Sequence, residues 1–182
     1  MRIKEIRPKF AMPPNVTVSV EGKLVKVKGP KGELSRRFDI PTVNFSSEDG
    51  KIAVVAKNAT KSTKTQIFTA AAHIRNMLKG VSEGHVYKLK ICSGHFPMNV
   101  SMSGDQFIVK NFLGEKVPRV LKIKEGAKVK IETNIVTVES TDIEKAGQVA
   151  ADIELLTRIT NRDIRIFQDG IYIIEKDGEP LA

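Results

Sequence analysis

The chain has no tryptophan, two tyrosines and eight phenylalanines in 182 residues, which argues against a broad aromatic platform for stacking bases. It has one cysteine, Cys92, so an internal disulfide, a redox pair and a zinc knuckle are all excluded. No run approaches the roughly 18 consecutive apolar residues of a spanning helix, and the opening MRIKEIRPKF lacks the apolar core of a signal peptide. The expectation is a soluble, cytoplasmic chain. Acidic residues are scarce as well: 30 Lys and Arg face 21 Asp and Glu, a formal charge of +9 with a pI near 9.7. By charge alone the partner is a polyanion, and RNA, DNA and an anionic membrane surface all qualify. A hydrophobic content of 41% is ordinary for a globular protein, and the length allows one large domain or two small ones.

Catalytic and metal-binding patterns are equally thin. His73, His85 and His95 are scattered, with no HExxH or CxxC to accompany them. Cys92 stands three residues before His95, but residues three apart on a strand point to opposite faces, so a buried inert thiol is the better reading than a nucleophile with its base. GPKG at 29–32 and FLGEK at 112–116 lack the Lys-Ser/Thr ending of a phosphate-binding loop, and GPKG reads as a hairpin turn. An Asp beside Arg in a loop, as at Asp163 and Asp169, more often orients the Arg than transfers protons. The residues therefore show no active site and predict no metal site.

What is present is a pattern written twice. Alternating segments at 16–20, 24–28, 34–38 and 52–56 read as short strands, and 60–78 changes period, with Ile67, Ala71, Ile74 and Leu78 on one helical stripe. Lys79 and Gly80 read as that helix's end. Sliding the chain by 82 residues superposes Val18, Ser19, Gly22, Val27, Lys28, Gly32 and Glu33 on Val100, Ser101, Gly104, Val109, Lys110, Gly114 and Glu115. Seven identities fall within 16–33, where unrelated sequences give roughly one. Without a gap, the same offset carries 52–56 onto 134–138 and Ile67, Ala71 and Ile74 onto Val149, Ile153 and Leu156. Thr141 and Glu144 have the spacing of a capping box for the second helix, and 86–92 reads as an added strand between the copies. The predicted fold class is α+β: two tandem similar domains from an internal duplication, 1–82 and 83–182, each a small, mostly antiparallel sheet packed with one helix.

The copies differ in charge. Residues 1–82 carry 16 basic and 6 acidic side chains, net +10; residues 83–182 carry 14 and 15, net −1. Within the second copy Lys110, Lys116, Arg119, Lys122, Lys124, Lys128 and Lys130 face only Glu115 and Glu125, whereas 132–154 is acidic. A single lysine run is usually just solvated surface, but several patches on a protein of this net charge favour polyanion binding.

The run NRDIRIFQDGIY at 161–172 closely resembles the C-terminal signature of the large-subunit ribosomal proteins of the L-six family, in its archaeal and eukaryotic branch, called L-nine in eukaryotes. KGPKGEL at 28–34, HIRNMLKGV at 73–81, HFPMNV at 95–100 and NFLGEK at 111–116 resemble the same branch, so the likeness spans nearly the whole chain. Leu155 departs from it, standing where the signature usually begins with Gln. The resemblance implies two duplicated α+β domains and a structural, non-catalytic ribosomal protein without a cofactor. Its expected partners are large-subunit rRNA, held mainly by the C-terminal domain close to the sarcin-ricin loop, neighbouring ribosomal proteins, and translation factors in proximity, with no membrane.

On that resemblance the candidate RNA-binding residues are His95, Lys110, Lys116, Arg119, Arg158, Arg162, Arg165, Gln168, Gly170 and Tyr172. Arginine forks suit phosphate oxygens, and Gly170 would allow close backbone approach. Phe167 and Tyr172 either pack on a ribose or an unstacked base or close the domain core, with the core favoured for Phe167. The strongly basic first copy is expected to touch RNA or an acidic neighbour too. A free-standing RNA-binding regulatory module shares every one of these charge arguments and is the alternative.

Overall fold

The computed structural model describes residues 3–41, 43–48, 51–94 and 96–181. The chain separates into two compact units, 1–84 and 85–182. In the first, a three-stranded meander of β3 (Thr17–Glu21), β4 (Leu24–Gly29) and β5 (Gly32–Arg37) accompanies a second sheet built on β7 (Lys51–Ala59). β7 is flanked on one side by β6 (Asn44–Glu48) and on the other by β1 (Ile3–Ile6) and β2 (Lys9–Ala11). Pro13 and Pro14 suggest an opening arm without regular pairing, yet the arm ahead of them is paired. Its ladder to β7 continues past Pro8, whose carbonyl accepts from the Val54 N–H at 3.1 Å, because a proline lacks only the donor.

Helix α1 (Lys61–Ser82) lays Ile67, Ala70, Ile74, Leu78 and Val81 on β7 and β4, burying them with Val25, Val27, Ile52 and Val54. It runs further than Lys79 and Gly80 suggest. Gly80 is buried inside it, and the glycine that ends it is Gly84, at φ +79°, whose N–H reaches back to the Lys79 carbonyl at 3.2 Å. GPKG is a two-residue hairpin turn, Gly29 pairing with Gly32, and it rests on this helix end. The Lys31 N–H donates to the Val81 carbonyl at 3.0 Å, and the Lys31 ammonium donates to the Glu83 carbonyl. A Cβ on Gly29 would stand 2.7 Å from the Val81 carbonyl oxygen, a backbone atom that cannot swing aside. Gly29→Ala is accordingly expected to destabilise the protein by about 1–3 kcal/mol, the usual penalty of overpacking, read as a lowered urea midpoint.

The second unit repeats the plan in register. β9 (Asn99–Ser103) lies 82 residues after β3, and α2 (Ile143–Leu156) begins 82 residues after α1. β9, β10 (Gln106–Lys110) and β11 (Arg119–Lys122) form the meander. The turn glycines Gly22 and Gly104 hold φ of +62° and +58°, so the identity between them is a conformational requirement. The larger sheet runs β12 (Ala127–Glu132), β13 (Ile135–Ser140), β8 (His85–Cys92), β14 (Gly170–Lys176) and β15 (Glu179–Pro180). Leu89, Phe107, Val136, Val138, Val149, Ile153 and Ile171 form its core under α2. Phe107 and Val109 occupy the positions of Val25 and Val27, and all four are buried. α2 is capped by Asp142, whose carboxylate accepts from the Glu144 N–H at 2.9 Å, in place of the expected Thr141 box. Ser140 Oγ takes the Asp142 N–H at 3.1 Å, which turns the chain one residue later and puts a full negative charge at the helix start. Asp152, an odd residue at the edge of the apolar stripe, is held by Gln148 at 2.7 Å and Lys124 at 3.0 Å.

Candidate nucleic-acid interface

The divergence between the copies begins where α2 stops. α1 continues for 22 residues, but α2 ends after 14, and the chain then makes a loop before returning as β14. Three contacts of buried or partly buried groups hold this loop. Thr157, buried at the helix end, accepts the Ile171 N–H on its Oγ at 2.9 Å and so ties the two ends of the loop together. Asp169, also buried, accepts the Gly94 N–H on its carboxylate and fixes the loop to the end of β8. The Tyr172 hydroxyl donates to the Asp169 carbonyl at 3.2 Å, and burial pushes its pKa up, which keeps it a donor.

Within the loop, Asp163 organises the turn. Its carbonyl accepts from the N–H groups of Ile166 and Phe167 at 3.1 and 3.0 Å, and its carboxylate accepts from the Arg165 N–H at 2.9 Å and from the guanidinium at 2.8 and 3.1 Å. The expected role of an Asp beside Arg is thus met at Asp163. These hydrogen bonds from the Arg165 side chain and backbone hold the Asp163 carboxyl below the usual aspartate range. Arg165 projects outward, its side chain 87% exposed, and Arg158 is exposed at the loop's start. The Arg162 guanidinium lies 4.9 Å from the centre of the half-buried Phe167 ring, and Arg162 itself is exposed.

Other sequence candidates take different places. Gln168 is exposed and donates weakly to the Arg165 carbonyl at 3.4 Å. Gly170 is buried, and the close approach it permits is that of the Tyr172 ring, 3.0 Å from where a Cβ would sit. Tyr172 is 41% exposed. Lys110 and Lys116 are exposed on the neighbouring segment, while His95 lies outside the described residues. Arg119 is the candidate already committed within the unit. Its guanidinium grips both Glu115 oxygens at 2.5 and 2.8 Å, donates to the Leu156 and Arg158 carbonyls at 2.7 and 3.3 Å, and stacks over Phe112 at 4.2 Å. It caps the helix end and holds the loop's first residue.

Beside the loop lies an open hollow of 1020 Å³ whose lining includes Lys90, Cys92, Asn134, Ile164, Phe167 and Tyr172. Lys90, on β8, and Asn134, in the turn between β12 and β13, drew no attention in the sequence because they come from other parts of the chain. Ile164 and Ile166, 69% and 75% exposed, carried a visible signal: they alternate with Asp163 and Arg165 on a loop that buries neither of them.

The Glu115 carboxyl is lowered first by its hydrogen bond from Arg119, with the Arg119 and Arg162 charges adding to this and partial burial opposing it. A depressed carboxyl stabilises the fold above its unfolded value, about 4.3, and that contribution is lost as pH falls through the folded value. The thermal midpoint of the protein should therefore drop below about pH 4, and Glu115→Gln should flatten part of that acid limb.

Fold and loop together define a duplicated α+β protein with a cationic loop secured to the sheet of its second unit. The family described as Ribosomal protein L6 matches it twice, at residues 12–84 and 96–170, once in each unit. Proteins called large ribosomal subunit protein uL6 are similar throughout. That of Aeropyrum pernix is 47% identical over 91% of this chain and 92% of its own length, and that of Methanococcus vannielii 45% identical over 97% of each. That of Ignicoccus hospitalis is 46% identical over 91% of this chain. The chain belongs to the Ribosomal protein L6 family, a family of structural rather than catalytic proteins.

Proposed function

We propose that this protein is a structural constituent of the large ribosomal subunit in the cytoplasm. In this reading its second unit grips large-subunit rRNA through the loop between α2 and β14, near the sarcin-ricin loop and the translation-factor site, beside neighbouring ribosomal proteins. One observation carries it. The loop is clamped by Thr157 and Asp169, so the backbone that carries Arg158, Arg162 and Arg165 is already ordered and only their side chains remain to be fixed on binding. The names of the relatives supply the assembly. Folded RNA is gripped through phosphates and 2'-hydroxyls by such groups, with shape rather than sequence recognised.

The test has two parts. Co-sedimentation with the large subunit through a high-salt gradient is expected, and accumulation of the protein outside particles would mean a free-standing RNA regulator. Crosslinking from residue 164 or 166 in the assembled subunit should then capture rRNA at the sarcin-ricin region. Capture of distant rRNA would refute the location while leaving the ribosomal assignment intact.

A further inference from the structure

Helix α1 carries a full stripe that the core does not use. Lys61, Lys64, Thr65, Phe68, Thr69 and Ala72 lie at successive i+3 and i+4 positions and are all exposed. Phe68 is 51% exposed, with the Lys64 ammonium 6.0 Å from its ring centre. No acidic residue occurs anywhere in the helix, and among the described residues none lines this stripe. Of the acidic groups in the first unit, Glu21 is paired with Lys26, and Asp39 with Arg37 and Lys23. The stripe's lysines have no carboxylate partner among the described residues.

The two lysines are also badly placed for the helix itself. They stand in and next to the first turn, where the macrodipole is positive and a basic side chain is destabilising. A solvated surface would be better served there by Asp or Glu, as the Asp142 and Glu144 start of α2 illustrates. We infer that the Lys61, Lys64 and Phe68 face of α1 is a second RNA-binding surface, taking an unpaired strand with phosphates on the lysines and a base on the phenyl ring. This deepens the RNA-binding reading but uses none of the loop residues. RNA fits better than an acidic protein segment because the one large apolar group on the stripe is an aromatic ring beside a cation, and every base offers a face to it.

The test uses the full chain and a short fluorescein-labelled oligoadenylate, with binding followed by anisotropy across a salt series. Lys61→Gln/Lys64→Gln should weaken binding and reduce the logarithmic salt slope by about 1.4, the value for two single-strand phosphates. The same variant should melt no lower than the parent, and higher if the dipole argument holds, so lost binding cannot be traced to lost fold. Phe68→Leu should weaken oligoadenylate binding roughly tenfold and leave inorganic polyphosphate binding unchanged. Lys28→Gln/Lys57→Gln, two exposed lysines away from the helix, is the control of equal charge, and an equal loss there would reduce the effect to net charge and overturn the proposal. An unchanged slope in the helix variant would overturn it too. Displacement of oligoadenylate by polyaspartate with the same dependence on Phe68 would assign the face to an acidic protein instead. The loop reading stands or falls separately, on co-sedimentation of the subunit with loop variants.

Discussion

Arg119→Met is expected to lower the stability of the second unit by about 2–3 kcal/mol, a fall in melting temperature on the order of 10 °C. The side chain does three things at once. It grips Glu115 bidentately, it satisfies the Leu156 and Arg158 carbonyls left open where α2 ends, and it covers the Phe112 ring. The Glu115 pair is partly exposed and contributes little by itself, so most of the loss comes from the uncapped carbonyls and the vacated ring. Methionine restores some apolar cover but no donor. Lysine keeps the charge without the fork and should recover only part of the loss. The RNA consequence separates two roles for this residue. If Arg119 acts by holding the start of the loop, Arg119→Met weakens binding to a large-subunit rRNA fragment with the salt slope unchanged. A slope reduced by about 0.9 would make it a direct phosphate ligand.

The same device recurs in the first unit in other chemistry. There Lys31, from the turn between β4 and β5, reaches the carbonyl end of α1, as Arg119 reaches the end of α2. A cation from the meander caps the helix carbonyls in each unit, which is favourable at the negative end of the dipole. The two residues are not at equivalent positions in the repeat, so no alignment of the copies would reveal the parallel.

How far the sequence could be read follows from which interactions are local. The repeat was legible because alternating residues such as Val27 and Val109, and the turn glycines Gly22 and Gly104, are dictated by burial and backbone angle within a few positions. The duplicated α+β plan followed from that period, and family membership from the loop motif. Helix ends were less legible. Gly80 signals a stop, yet it is buried in the helix, which runs on to a glycine cap at Gly84, and the GPKG turn seats on that end. The pairing of β1 and β2 with β7 is hidden because it joins residues far apart in the chain. In the loop, the arginines could be named from the sequence. That Asp169 anchors to Gly94 and that Gly170 makes room for Tyr172 could not, because both contacts arise only once β14 is docked on β8.

Arg162→Ala/Arg165→Ala should weaken binding to a large-subunit rRNA fragment by about 30- to 100-fold at low salt and reduce the salt slope by about 1.8, while changing the melting temperature little. The stability half of this expectation comes from exposure. Arg165 is almost wholly in solvent and its pair with Asp163 is a surface ion pair, so the fold gains little from it. That weakness is useful for binding, because a phosphate can take the guanidinium from Asp163 without a large internal loss, whereas Arg119, with its several partners, could not be recruited so cheaply. Arg162 is restrained by the Phe167 ring beneath it, and Phe167→Leu should therefore give a smaller loss of affinity than removal of Arg162, with an unchanged salt slope. A double arginine variant that binds the fragment with parental affinity and slope would move the principal RNA contact of the second unit off this loop. The exposed lysines of the neighbouring segment, Lys110 and Lys116, would then be the next groups to replace.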